Sequence, residues 1–203
     1  ARHREQKRQE DDLRDRLRRE AASSSNTTAR NAIEELEKRD LLRGERGWLM
    51  GADLGGASLN EVNLESANLR RTNLSRAKLD NAMLFEADLE KADLSGAELR
   101  CALLSYANLR HAALDNADLR SANLQHCTLD FANVNFADLR GADLNRASLK
   151  NATFSEAVFD KHTILPDGST WTAETDLTQF GALITLMRTS VPYVNDEDED
   201  RGQ

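Results

Sequence analysis

A period of five residues runs through this chain without a break from Ala52 to Lys161. It begins ADLGG ASLNE VNLES ANLRR TNLSR and keeps the same register through ADLEK, ADLSG and ANLRH to AVFDK. The centre of each block is leucine at 54, 59, 64, 69, 74 and onward, with Val134, Phe154, Phe159 and Ile164 as substitutes. Two residues before each centre stands a small residue, alanine in most blocks, with Val62, Thr72 and Cys127 marking the tolerated sizes. Counting outward adds GWLMG and HTILP, giving 24 blocks over residues 47–166 with Gly47 and His162 at the small position of the end blocks. Five matches neither the 3.6 of a helix nor the 2.0 of a strand, so neither element holds the apolar set on one face. A chain that turns at regular intervals does. Each turn of such a solenoid buries its apolar residues against its neighbours, so a hydrophobic fraction of 39% is enough to build it.

The blocks ADLEK, ADLSG, ANLRR and ANLRH resemble the pentapeptide-repeat family, whose motif is a small residue, Asp or Asn, Leu and two polar residues. The resemblance covers residues 47–166. It implies a β fold, a right-handed quadrilateral β-helix in which four blocks make one square coil with the central and small residues inward. The 24 blocks then make about six coils, with short α-helical caps at both ends. Stacked at the ordinary strand spacing of about 4.8 Å, these form a rod of roughly 29 Å. Residues twenty apart fall into columns.

The flanks read as covers for the open edges of the stack. Residues 1–26 are expected as a charged stalk or linker helix, with Glu10/Arg14, Asp12/Arg16 and Asp15/Arg19 at i,i+4 spacing. Residues 27–46 read as an N-terminal capping helix, starting near Thr28 or Asn31 and carrying Ile33, Leu36 and Leu41 as its stripe. Residues 167–194 read as a turn and a C-terminal capping helix, in which Leu177, Phe180, Leu183, Ile184 and Met187 recur at helical spacing over 176–189. That helix is also the candidate contact for a homodimer. Residues 195–203 read as an acidic disordered tail, and five acids against one arginine in 196–203 supply half of the net charge of −8.

No catalytic, cofactor-binding or metal-binding set emerges. The histidines at 111 and 126 fall on different faces, and Cys127 points inward while Cys101 points outward. There is no Gly-rich phosphate loop, nucleophile elbow or His-Glu-x-x-His, so the chain is expected not to be an enzyme. No basic patch with interleaved aromatics predicts direct nucleic-acid binding. No apolar stretch approaches the ~20 residues of a membrane span. A cytoplasmic location is expected, with membrane association through a segment not present in this chain.

The resemblance also brings an alternative, since pentapeptide-repeat proteins include acidic rods that resemble duplex DNA and inhibit type II topoisomerases such as gyrase. The columns speak against it here. Glu98, Asp118 and Asp138 stack on one face, but Arg100, Arg120 and Arg140 stand two residues along, and another column alternates Arg70, Glu90, Arg110, Asp130, Lys150. A continuous negative stripe is absent.

Large apolar residues break the outward rule in one region. Met83 and Leu103 share a column that should hold Asp or Asn, Phe85 and Tyr106 share their face, and His126 follows Tyr106 in its column. Phe131 and Phe136 protrude on the next two faces. Gathered apolar groups mark interaction surfaces more often than scattered ones. The candidate partner-binding residues are therefore Met83, Phe85, Leu103, Tyr106, His126 and Phe131. The function expected is a non-enzymatic protein-interaction or scaffold rod for a protein partner, as the soluble part of a larger membrane-tethered bacterial protein.

Overall fold

The computed structural model describes residues 2–45 and 47–183. Residues 53–164 wind into a stack in which positions twenty apart are joined by parallel bridges. One column runs Asp53, Asn73, Asp93, Ala113, Asn133, Thr153; a second Ser58, Lys78, Glu98, Asp118, Asp138, Val158; a third Asn63, Met83, Leu103, Asn123, Asp143, Ile164; a fourth Asn68, Asp88, Asn108, Thr128, Ser148. The leucine centres and the small residues point inward and are buried from Leu49 to Ala152. Each fully buried leucine contributes about 1.5–3 kcal/mol, so burial repeats along the rod instead of concentrating in one core.

The block Ala107–His111 shows why the motif has its composition. Ala107 N–H donates to the Leu104 carbonyl across the corner at 3.0 Å, Asn108 N–H to Ala87 O below at 2.9 Å, Leu109 N–H to Thr128 O above at 2.8 Å, and His111 N–H to Asp130 O at 3.0 Å. That leaves the Arg110 amide without a rung partner. The Asn108 side chain accepts it at 3.2 Å. The same bond recurs from Ser95 to Asp93, Gln125 to Asn123 and Arg140 to Asp138. Where Lys78, Glu98 and Thr153 hold the Asp/Asn position, a side chain one coil below takes over: Asn60 accepts the Asp80 amide, Asp80 that of Arg100, and Asn135 that of Ser155. A buried or half-buried amide is costly to leave unpaired, and this is the physical content of the Asp/Asn position.

The corners impose a second constraint. The last residue of each block takes a left-handed backbone, as in Tyr106 (φ 62°), His111 (φ 58°), Ser121 (φ 56°) and Phe131 (φ 62°). That conformation suits glycine, found there at Gly56, Gly96 and Gly141, and costs other residues about 1–2 kcal/mol.

At the N-terminal end, two helices close the stack. Helix α1 spans Arg2–Ala21 and α2 spans Asn26–Lys38, two residues ahead of Thr28, with Ser25 at its N-cap position. Ala29, Ala32, Ile33 and Leu36 of α2 are buried, and so are Leu17 and Ala21 of α1. The C-terminal part of α1 is therefore packed into the cap, while the side chains of residues 4–10 are exposed as a stalk would be. The open edge of the first coil finds partners in this cap. Ser58 N–H donates to Ser23 O at 2.9 Å, Asn68 N–H to Leu42 O at 2.7 Å, and the Arg18 guanidinium to the Trp48 and Met50 carbonyls.

The C-terminal end departs from the sequence expectation in two ways. The period slips by one residue after Val158, because the column from Asp143 meets Ile164, one position beyond the twenty-residue interval. Thr163 is then buried in the small position and Leu165 in the central one, so Ile164 faces outward, half-buried, and His162 is exposed. The Asp160 carboxylate compensates for the extra residue by accepting the Gly141 amide at 2.9 Å, where a backbone carbonyl serves elsewhere. A one-residue slip exchanges inward and outward side chains, which is why Ile164 is displaced as a centre. The C-terminal helix expected over 176–189 is corrected in its described part, 176–183. A four-residue 3-10 turn, Leu177–Phe180, ends at Gly181 (φ 87°), and the chain then runs along the stack, with Asn151 N–H donating to Gly181 O and Leu183 N–H to Ala152 O. Leu177 and Ala182 are buried in that cover. The backbone edge of the last coil needs paired partners, and an extended segment supplies them where a helix would not. Residues 184–194 and the tail 195–203 lie outside the described residues.

Two outcomes are expected. Ser121→Gly relieves a left-handed corner and raises stability by about 0.5–1 kcal/mol in urea unfolding. The Asp118 carboxyl is held below the usual carboxylate range, chiefly by hydrogen bonds from the Arg120 guanidinium at 2.9 and 2.7 Å, with the Arg120 amide adding to them against partial burial. A depressed folded value gives stability above the unfolded value of about 4, lost as pH falls through the folded one. The urea midpoint should decline below about pH 4, and less steeply in Asp118→Asn.

Candidate functional site

The wall is built on the third column. Met83 and Leu103 are bridge partners, with Asn63 below and Asn123 above. Phe85 follows Met83 around the centre Leu84, and its ring meets Tyr106 edge-on, 5.5 Å between centroids at 68°. Tyr106 stacks on His126 at 4.5 Å and 4°. Ring contacts of this kind add about 0.5–1.5 kcal/mol each beyond buried area. Met83, Leu103 and Tyr106 are 39%, 46% and 52% exposed, so the wall stands open to solvent. Phe85 and His126 are half-buried within it.

The wall costs the rod hydrogen bonds. Met83 and Leu103 stand where Asp or Asn accepts the amide two residues on. Among the described residues no protein group accepts the Phe85 or Ser105 amide, as is also the case for Asp115 and Asp130 beyond Ala113 and Thr128. A hydrogen bond of this kind is worth about 0.5–1.5 kcal/mol net. Nothing in the stacking recovers that loss, because both side chains point away from the core.

The structure brings together five of the six candidates and places the sixth apart. Phe131 occupies the next corner around the coil, in the column of His111, and stacks on that imidazole at 4.9 Å and 17°. The Arg110 guanidinium lies 5.3 Å from the centre of the Phe131 ring, a cation–π arrangement. This corrects the alternating ladder expected in that column. Arg70 does pair with Glu90 at 2.6 Å, but Arg110 turns to the ring. The pairing of His111 with Phe131 was not expected from the sequence, although their separation of twenty carries the signal. Also missed was a groove of about 380 Å³ beside Met83, lined by Ile33, Glu37, Lys38, Glu61 and Asn63, because no repeat places α2 against the rod.

On the second face the stacked acids are neutralised. Arg120 pairs with Asp118 at 2.7 Å and reaches Asp138 at 3.7 Å, Arg140 pairs with Asp138 at 2.6 Å, and Arg100 bonds Asp80. Among the described residues no cluster of three or more His, Cys, Asp or Glu could hold a metal ion, and none of their helices is long and apolar enough to cross a membrane. Cys101 is exposed, while Cys127 is buried and its thiol pKa is pushed up by that burial.

The sequence matches the Pentapeptide repeats family in 8 copies, across residues 49–84, 82–120, 97–135 and 122–160. No curated protein matches the chain. Among solved structures it is similar to the pentapeptide repeat protein Rfr23 from the cyanobacterium Cyanothece 51142, 30% identical, covering 57% of this chain and 89% of that one with a TM-score of 0.47. It is also similar to QnrB1, a plasmid-mediated fluoroquinolone resistance protein, 23% identical, covering 56% of this chain and 57% of that one with a TM-score of 0.53. HetL, involved in heterocyst differentiation regulation in Nostoc sp. strain PCC 7120, is 32% identical over 60% of this chain and 73% of its own, with a TM-score of 0.34. With the repeat matched over more than half of its residues and its columns paired at intervals of twenty, the chain belongs to the pentapeptide-repeat family, whose members are right-handed quadrilateral β-helices.

Proposed function

We propose that this protein is a non-enzymatic interaction rod that holds a protein partner on the wall of Met83, Phe85, Leu103, Tyr106 and His126. The observation that carries this is the exchange at positions 83 and 103, where two side-chain acceptors are given up for exposed apolar surface. Sites that lower stability without a packing return are where function is to be sought. Large, exposed and ring-stacked side chains are also the types that carry binding energy at interfaces. A cytoplasmic rod, carried on a larger membrane-tethered protein through α1, is consistent with the charged, exposed start of that helix. A homodimer through a C-terminal helix has less support, since a 3-10 turn and an extended return occupy 177–183.

The fold shared with QnrB1 keeps a second function in view, a topoisomerase-directed DNA mimic. It needs an uninterrupted negative stripe, and the arginines at 100, 120 and 140 interrupt the acidic face. A gyrase supercoiling assay separates the two, with no inhibition expected from the purified rod.

Replacing both Met83 and Leu103 by Asn restores the acceptors for the Phe85 and Ser105 amides. The double variant should gain about 0.5–1.5 kcal/mol per site in urea unfolding. Partner capture from the source cell should fall at least about tenfold, the equivalent of 1.4 kcal/mol. Unchanged capture by a folded double variant would overturn the interaction-rod proposal.

A further inference from the structure

Carboxylates border the wall on the side of the N-terminal cap. One rung below Phe85 in its column is Glu65, and one rung below Tyr106 is Glu86, whose amide bonds the Ser105 carbonyl at 3.0 Å. Below Met83 is Asn63, whose side-chain amide donates to the Glu37 carboxylate of α2 at 2.8 Å. Each of these three wall residues therefore adjoins a carboxylate on the side facing the N-terminal cap.

These carboxylates have no ion pair of their own, although the Arg43 guanidinium donates to the Glu65 backbone carbonyl at 3.4 Å. Glu61 pairs with Arg30 at 3.0 Å and Glu34 with Lys38 at 3.6 Å, but among the described residues no ion pair joins Glu37, Glu65 or Glu86, and all three are exposed. On the second face, by contrast, the arginines close onto the aspartates beside them. Toward the far end of the wall the corner column of Ser66, Glu86, Tyr106 and His126 continues to the exposed Arg146, while the column of Met83 and Leu103 continues through Asn123 to Asp143. Of the three, Glu37 lines the groove that α2 forms with Met83.

We infer that the partner segment is a basic amphipathic helix, its apolar side lying along Met83, Leu103, Phe85 and Tyr106 and its Lys or Arg residues over Glu37, Glu65 and Glu86. This rests on the interaction-rod function proposed above and names the chemistry of what that site takes. A neutral apolar segment would leave three carboxylates half-desolvated at its border without compensation, and an acidic one would be repelled. A basic one gains the attraction and a faster, salt-dependent association.

The test uses the full chain and two labelled model helices of eighteen residues, one built from Leu and Lys and its counterpart from Leu and Glu, followed by fluorescence anisotropy. The Leu/Lys helix should bind at least about tenfold more tightly than the Leu/Glu helix. That preference should shrink on raising salt from 50 to 500 mM. Glu37→Gln, Glu65→Gln and Glu86→Gln combined should weaken Leu/Lys binding about tenfold, and Met83→Asn with Leu103→Asn should remove it, with melting curves showing both variants folded. If both helices bind equally and both are lost in the Asn variant, the wall is a site but the basic partner is wrong. If Leu/Lys binding survives the Asn variant, or neither helix binds, the basic helix is overturned; survival in the Asn variant removes the wall as the site as well.

Discussion

The structure depends on one constraint, the pairing of the amides of each five-residue block within a chain that turns after each block. Four of the five are taken up by carbonyls of the neighbouring coils and the preceding corner, as in Ala107–His111. The fifth has only a side chain to turn to, which is why Asn108, Asn123 and Asp138 recur where they do. The inward leucines supply the burial, but they would do so in many backbone arrangements. Amide pairing at intervals of twenty selects one of them and holds it from coil to coil.

The same requirement shapes both ends. A stack of coils exposes unpaired donors and acceptors at each edge, and such edges invite further strands. At the N-terminal edge the carbonyls of Ser23 and Leu42 and the guanidinium of Arg18 meet the first coil. At the other end Asp160 lends a carboxylate oxygen to absorb an extra residue, and residues 181–183 return to pair with 151 and 152. Local chemistry differs at each site while the need it answers is the same.

Against this background the wall has an identifiable cost. The small and central positions are dictated by packing and the Asp/Asn position by the fifth amide, while the remaining two positions are left to solvent. Met83 and Leu103 abandon an acceptor, and Phe85 and Tyr106 take free positions, Tyr106 with a left-handed backbone as well. Arg100, Arg120 and Arg140 use the same free positions in the opposite manner, closing onto the acids beside them. One face is thereby silenced electrostatically and another left open and apolar.

The repeat alone determined the columns, the inward leucines and the grouping of Met83, Phe85, Leu103, Tyr106 and His126, because a strict period of five converts sequence separation into spatial neighbourhood. It also carried the separation of twenty between His111 and Phe131, although a period says which residues are neighbours and not how their rings turn. Tertiary structure alone decided what lies where the period ends. The slip that exchanged Ile164 for Leu165 arose because the Asp160 side chain can replace a carbonyl. Residues 177–183 became a 3-10 turn and an extended return because the backbone edge of the last coil outweighed helical spacing. The groove between α2 and Met83, and the place of Glu37 in it, likewise follow from how a helix seats on the first coil, a contact between distant segments that no local pattern encodes.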